Sequence, residues 1–259
     1  REAYAAYLAG LTMPTEMGTH RILFDCGSGA AGPTLKAVLA ELNRRGVEID
    51  AVIARGAPDP SFPDGVPNPL LPEMRTATAR AVVEAGADFG VAFDGDFDRC
   101  FFFDENGRFI EGYYLVGLLA QVFLEAEPGA KIVHDPRLTW NTQEIVAAAG
   151  GTAIQSVTGH AYMKESLREH LAVYGGEMSA HHYFRDFYYS DSGMVPWLLV
   201  TALMAATGKR LSQLVDERMQ AFPASGEINR TIADPQALLA AARARYEADA
   251  LVIENVDGL

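Results

Sequence analysis

Three aspartates, Asp94, Asp96 and Asp98, hold alternate positions in the run Val91-Ala-Phe-Asp-Gly-Asp-Phe-Asp-Arg-Cys-Phe-Phe-Phe-Asp104. In an extended segment, alternate side chains point the same way. The spacing therefore predicts three carboxylates converging on one spot, with Arg99 pressed against them. Like charges that close repel, so the cluster calls for a cation or for protons. An all-oxygen donor set suits a hard divalent ion such as Mg²⁺. A solvated acidic turn is the plainer reading of the same residues. An EF-hand is a third, because Glu105 falls at its twelfth position. That loop needs Gly at its sixth position, where Arg99 stands, and it needs flanking helices.

Apolar runs on either side of the acids, Phe89 to Phe93 and Cys100 to Phe103, read as buried strands. They would hold the acid loop on rigid ends. Upstream, Arg21 to Asp25 reads as a strand, a glycine-rich turn follows, and a helix carries Leu35, Val38, Leu39 and Leu42 on one face. Gly27-x-Gly29-x-x-Gly32 matches only the loosest dinucleotide pattern, and the turn lacks the Lys-Ser/Thr of a phosphate loop. A tight turn with close packing explains it better. A strand over 47–54 follows, then a loop over 55–72 with six prolines, then a helix from Glu73 to Ala85.

The pattern then repeats. A helix is expected from Tyr114 to Leu124, a strand over 131–135, a helix over 140–149 and a strand over 152–156. Thr158-Gly-His160 opens a helix through His170. A strand over 172–174 leads into Gly175-Gly-Glu-Met-Ser-Ala-His-His182. Helices are expected over 192–206 and 211–221. The order of elements predicts an α/β fold: two tandem units with mixed, largely parallel sheets and right-handed crossovers. Polar residues gather after strands, the end of open α/β sheets where ligands bind. From 220 onward the character shifts toward the start of a further α+β domain, with strands expected over 228–232 and 251–254 around a helix over 235–248.

The 259 residues suffice for two ordinary domains. The formal net charge of −13 disfavours non-specific binding to nucleic acid or to a membrane surface. Only two cysteines occur, Cys26 and Cys100, which fits a reducing, cytoplasmic setting with buried thiols. The opening residues show no charged-then-apolar leader, and the longest apolar helix is too short to span a bilayer. A chain that opens in mid-helix without Met is expected to be a piece of a longer protein.

Four segments together resemble the phosphohexomutase superfamily, its bacterial phosphomannomutases most closely. Phe93-Asp-Gly-Asp-Phe-Asp-Arg99 resembles the metal loop and Thr158-Gly-His160 the Thr-Gly-x loop. Gly176-Glu-Met-Ser-Ala-His181 resembles the sugar-binding loop, and Pro67-Asn-Pro-Leu70 a segment of the second domain. The resemblance implies domain two over 1–108, domain three over 109–219 and an incomplete fourth domain over 220–259. The first domain, with the family's phosphoserine, and most of the fourth would then lie outside this chain, leaving it inactive alone.

The implied activity interconverts mannose 6-phosphate and mannose 1-phosphate through a phosphoserine and a hexose 1,6-bisphosphate, in sugar-nucleotide (GDP-mannose) metabolism. Phosphoglucomutase and a non-catalytic phosphosugar- or metal-binding module are the alternatives. The resemblance assigns Asp94, Asp96 and Asp98 to Mg²⁺, with Arg99 beside the phosphoryl group. Glu177 and Ser179 would hydrogen-bond adjacent sugar hydroxyls. His181 is the candidate acid/base, since imidazole exchanges protons near neutrality. Arg137 would lie near the reacting oxygen, and Thr158, Gly159, His160 and Lys164 on the adjoining loop. Each has a plainer alternative: Arg137 as a surface partner of Asp135, Lys164 as a solvated helix face, His181 and His182 as packing against Tyr183 and Phe184. The chain departs from the common pattern at Phe97 and Ala180, where many members have Gly. Phe97 is expected to point away from the metal, and Ala180 matters only if its backbone needs positive φ.

Overall fold

Short apolar runs bounded by Gly, Pro or Asp form the strands, and the segments between them wind into helices. The computed structural model describes residues 1–12, 18–226, 228 and 230–258. The first unit contains α1 (Glu2–Thr12), β1 (Arg21–Asp25), α2 (Ala31–Arg44), β2 (Asp50–Ala54) and α3 (Pro72–Ala85). It continues with β3 (Phe89–Phe93), β4 (Cys100–Asp104) and β5 (Phe109–Ile110). Its sheet runs β2-β1-β3-β4-β5, with β1 parallel to both neighbours and β4 and β5 antiparallel.

The second unit contains α4 (Gly112–Ala126), β6 (Lys131–His134), α5 (Trp140–Ala148), β7 (Thr152–Gln155) and α6 (His160–His170). Then come β8 (Tyr174–Gly176), β9 (His182–Phe184) and β10 (Ser190–Asp191). Its sheet runs β7-β6-β8-β9-β10, again with a parallel centre and two antiparallel strands. Both units thus trace the same path: helix, strand, helix, strand, helix, then three strands. Helices α7 (Pro196–Thr207), α8 (Leu211–Ala221) and α9 (Pro235–Tyr246) follow. Pro196 opens α7, where its missing N–H costs nothing, and Gly208 closes it at φ 65°.

Alternation along the strands splits each sheet into two apolar faces. Leu23, Ala92, Phe101 and Phe103 pack with Val82 of α3. Val133 and Tyr183 pack with Met163 and Leu167 of α6. The opposite faces of both sheets merge into one core, holding Phe24, Val91 and Phe102, Leu119 of α4, Ile132 and Tyr174, and Trp197 of α7. Phe24 and Trp197 meet edge to face with centroids 4.9 Å apart.

Four expectations change. The strand over 47–54 begins only at Asp50, where pairing with Arg21 starts. The strand expected over 172–174 is shifted to Tyr174–Gly176, so the two glycines lie inside it. The strand is central and tightly covered: a Cβ on Gly176 would sit 2.5 Å from Val116 Cγ2. No strand forms over 251–254, whose residues are mostly exposed; Glu254 meets the edge strand β7 through its side chain, which accepts from Gln155 Nε2 at 3.2 Å. The strand expected over 228–232 includes residue 229, outside the described residues, and Ile228 and residues 230–232 are not in a strand.

Candidate active site

The two turns that leave the parallel cores carry the chemistry. In the first unit, residues 94–99 turn between β3 and β4. The three carboxylates converge, but not through an extended segment. The Phe97 N–H donates to the Asp94 carbonyl at 3.3 Å, and Phe97 sits at φ 58°. The turn, not strand alternation, gathers one oxygen from each of Asp94, Asp96 and Asp98 to within 4.8 Å of one another. Phe97 packs on the shared core. Asp94 is buried, and burial raises its pKa to about 6 against the pull of Arg99. Arg99 donates to Asp94 through Nε at 2.6 Å and through its backbone N–H at 3.2 Å. Three close oxygens around a buried carboxylate fit Mg²⁺.

The glycine-rich turn supports this loop. The Ala30 N–H donates to the Gly95 carbonyl at 2.9 Å, and a Cβ on Gly29 would stand 2.6 Å from that oxygen. Gly32 is pressed against the Gly56 carbonyl in the same way.

In the second unit, the turn between β8 and β9 holds the equivalent place. Glu177 follows β8 as Asp94 follows β3, and both are 2% exposed. Gly159 N–H donates to Glu177 Oε1 at 2.8 Å, and Tyr183 O–H donates to Oε2 at 2.5 Å. His181 lies between the units: Nε2 is 3.5 Å from Asp98 Oδ2, and Nδ1 is 3.4 Å from Glu177 Oε2. Ser179 Oγ shares a hydrogen bond with His181 Nδ1 at 3.0 Å. Burial opposes the imidazolium, but the Asp98 and Glu177 carboxylates more than offset it, so the His181 pKa is raised. The same contact lowers that of Asp98.

Backbone bonds tie the two turns together. Arg99 and His181 form an antiparallel bridge, and the Cys100 N–H donates to the Ala180 carbonyl at 3.3 Å. Ala180 sits at φ 70°, so the left-handed backbone that favours glycine is present here.

Lys164 pairs with Asp191 at 2.8 Å, and Asp191 offers an oxygen within 4.8 Å of ligand atoms of Asp98 and His181. Arg137 opens elsewhere. It pairs with Asp135 at 2.7 Å, and the same Asp135 oxygen accepts the Met178 N–H at 2.7 Å. Asp135 is fully buried, so this pair is not the ordinary surface contact first weighed for it. Arg137, Trp140 and Met178 line a cavity of about 610 Å³. Asp96, Asp98 and Asp191 line a different one, of about 510 Å³. Thr158 N–H donates to Asp257 Oδ2 at 3.1 Å, and His160 is exposed on the first turn of α6. His182 is wholly buried, and burial drops its pKa to about 3.

Two family models cover most of the chain. The phosphoglucomutase/phosphomannomutase α/β/α domain II matches residues 2–107, and domain III matches residues 111–222. The chain belongs to the phosphoglucomutase/phosphomannomutase family. It is 55% identical over its whole length to a phosphomannomutase of Salmonella typhimurium, covering 57% of that protein. It is 51% identical to a protein of Xanthomonas campestris named phosphohexose mutases, again covering 57% of it. A family crystal structure from Burkholderia thailandensis superposes with TM-score 0.83 at 27% identity, over all of this chain and 54% of that one. The chain therefore spans little more than half the length of these relatives.

Within this family fold, the sequence reading weighed Asp135 only as a surface partner of Arg137 and gave Asp191 and Tyr183 no part in the site. Asp135 holds Met178 and Arg137, Asp191 holds Lys164, and Tyr183 holds Glu177. Asp135 had a signal, a lone acid at the end of an apolar strand. The other two had none, because sheet pairing brings Tyr183 to Glu177 and the packing of α6 brings Lys164 to Asp191, and neither shows in local sequence.

Proposed function

We propose that this chain supplies the metal-binding and sugar-binding loops of a longer phosphomannomutase, which moves a phosphoryl group between O6 and O1 of mannose phosphate. The observation that carries this reading is the junction of the two turns: Asp98 and Glu177 flank His181 at 3.5 and 3.4 Å across the boundary between units. The name of the Salmonella relative supports it. In this reading residues 1–108 form the metal-loop domain, 109–219 the sugar-loop domain, and 220–259 the start of a fourth. The phosphorylated serine comes from the rest of the longer protein, in the cytoplasm.

Asp94, Asp96 and Asp98 would hold Mg²⁺, which would draw charge from the transferring phosphoryl group. Arg99 stands over Asp94 and offers its remaining donors to that group. Glu177 accepts hydroxyl protons of the sugar, and Ser179 orients His181. His181, placed between two carboxylates, moves a proton at the sugar oxygen. Arg137, fixed by Asp135, holds charge on the far side of the sugar loop, and Thr158 and Gly159 ahead of α6, with His160 and Lys164 on it, border the site.

Two variants of the full-length protein test this. Asp96→Asn removes one ligand charge and is expected to weaken Mg²⁺ binding by about tenfold or more, read by calorimetry. Unchanged affinity would remove Asp96 from the set. Glu177→Gln is expected to lower kcat/KM for mannose 1-phosphate by about tenfold or more with an unchanged melting temperature. Kinetics equal to the parent protein's would take Glu177 off the sugar. Mannose 1-phosphate and glucose 1-phosphate assayed side by side decide between phosphomannomutase and the broader activity suggested by the Xanthomonas relative's name.

A further inference from the structure

Glu177 is 2% exposed, and a buried carboxylate is costly unless its oxygens are hydrogen-bonded. Two donors answer that need, one on each oxygen. The Gly159 N–H reaches Oε1 at 2.8 Å, and the Tyr183 hydroxyl reaches Oε2 at 2.5 Å. They come from different elements: Gly159 from the turn that opens α6, Tyr183 from β9. Gly159 stands at φ 116°, a backbone that L residues rarely adopt, so that N–H is held where only glycine fits easily. Tyr183 is itself fully buried among Val133, Met163 and Leu167, and that packing fixes its ring.

Burial, and then the Glu177 charge, push the Tyr183 hydroxyl far above its ordinary range, so it stays a donor at every working pH. A carboxylate offers about four lone-pair sites. The two donors make the short hydrogen bonds, one on each oxygen, and the remaining lone pairs, with His181 Nδ1 3.4 Å from Oε2, are left for a ligand. Spinning about the terminal torsion, which is soft in a free Glu, is blocked at both ends.

From this clamp we propose that Tyr183 is a positioning residue for substrate recognition. It acts only through Glu177, fixing that carboxylate so that its free lone pairs meet two hydroxyls of a hexose. The inference rests on the reading of Glu177 as the acceptor of sugar hydroxyls. Without the Tyr183 bond, Glu177 would rotate among several orientations, and each substrate encounter would lose the pre-ordered one. The loss falls on ground-state and transition-state binding alike, so it raises KM more than it lowers kcat.

The test is a double-mutant cycle in the full-length protein with mannose 1-phosphate. Tyr183→Phe keeps the ring and its packing and removes only the donor. KM is expected to rise about tenfold, the worth of one hydrogen bond to a charged group, with kcat changed by less than about threefold. In the Glu177→Gln background, the same change is expected to add less than about twofold, because the residue it serves is already lost. A Tyr183→Phe protein with unchanged KM, while Glu177→Gln is impaired, overturns the role of Tyr183 and leaves that of Glu177. Equal losses in both backgrounds also overturn it, since Tyr183 would then act on something else. Normal kinetics for Glu177→Gln would instead remove the proposed sugar contact and this role with it.

Discussion

His182 and His181 are neighbours in sequence with opposite surroundings. His181 lies between the carboxylates of Asp98 and Glu177, and its pKa is raised. His182 shares a bond with the Tyr174 hydroxyl at 2.7 Å, its Nε2 has no partner among the described residues, and burial takes its pKa from 6.5 to about 3. The unfolded chain takes up a proton near pH 6.5, while the folded chain takes it up only near 3. Stability present above 6.5 is therefore lost as pH falls from there toward 3. The loss should reach about 2 kcal/mol between pH 7 and pH 5. His182→Gln, which keeps an acceptor for Tyr174, should remove most of that slope in urea unfolding at the two pH values. The same slope in both proteins would mean that another group carries it. At this scale the sequence was half legible. The acid triplet announced itself by type and spacing, but its convergence comes from a turn with Phe97 at positive φ, which spacing does not reveal. The expectation for His182 was packing, and its burial agrees.

At the level of elements, the glycine-rich turn shows why a loose motif misleads. Gly29 and Gly32 answer to protein backbone, and Gly27 to the ring of Pro67. Gly29 lets α2 begin against the Gly95 carbonyl, and the Ala30 N–H bonds to it at 2.9 Å. A methyl at 29 must displace residue 95, in the middle of the acid loop, because the clashing atom is backbone and cannot rotate away. Gly29→Ala is thus expected to weaken Mg²⁺ affinity by about tenfold without touching a ligand, as changes behind a metal site commonly do. Calorimetry on a folded Gly29→Ala protein with unchanged affinity would show that the turn does not position the loop. Strands flanked by clear breakers were legible. Strand β8 was not, because Gly175 and Gly176 read as a turn when local preference is weighed alone. Contact with Val116 and Leu167 decides their place, and that contact is tertiary. The strand expected over 251–254 failed for the complementary reason: its residues are mostly exposed, and Glu254 meets the edge strand β7 by a side-chain hydrogen bond with Gln155 rather than by backbone pairing.

Across the whole molecule, the repeated path of strands and helices suggests two independent domains, each near 100 residues and large enough to fold alone. The packing argues otherwise. Trp197 of α7, which follows the second sheet, sits in one apolar cluster with Phe24 and Val91 of the first. The Arg99–His181 bridge and the Cys100-to-Ala180 hydrogen bond then join the two turns of the site. Opening either unit alone would expose half of that cluster and strand the buried carboxylates Asp94 and Glu177, each 2% exposed in the intact fold. Removing a Trp from such a core costs about 3–5 kcal/mol, comparable with the margin of a whole domain. The 259-residue chain is therefore expected to melt in one calorimetric transition, with equal calorimetric and van't Hoff enthalpies. Trp197→Ala should lower the midpoint and drive the van't Hoff enthalpy below the calorimetric one, as the first unit loses its hold on the second. Two separate transitions in the unsubstituted chain would mean that each unit's own core outweighs the shared one. The site at their junction would then be assembled by docking rather than by folding.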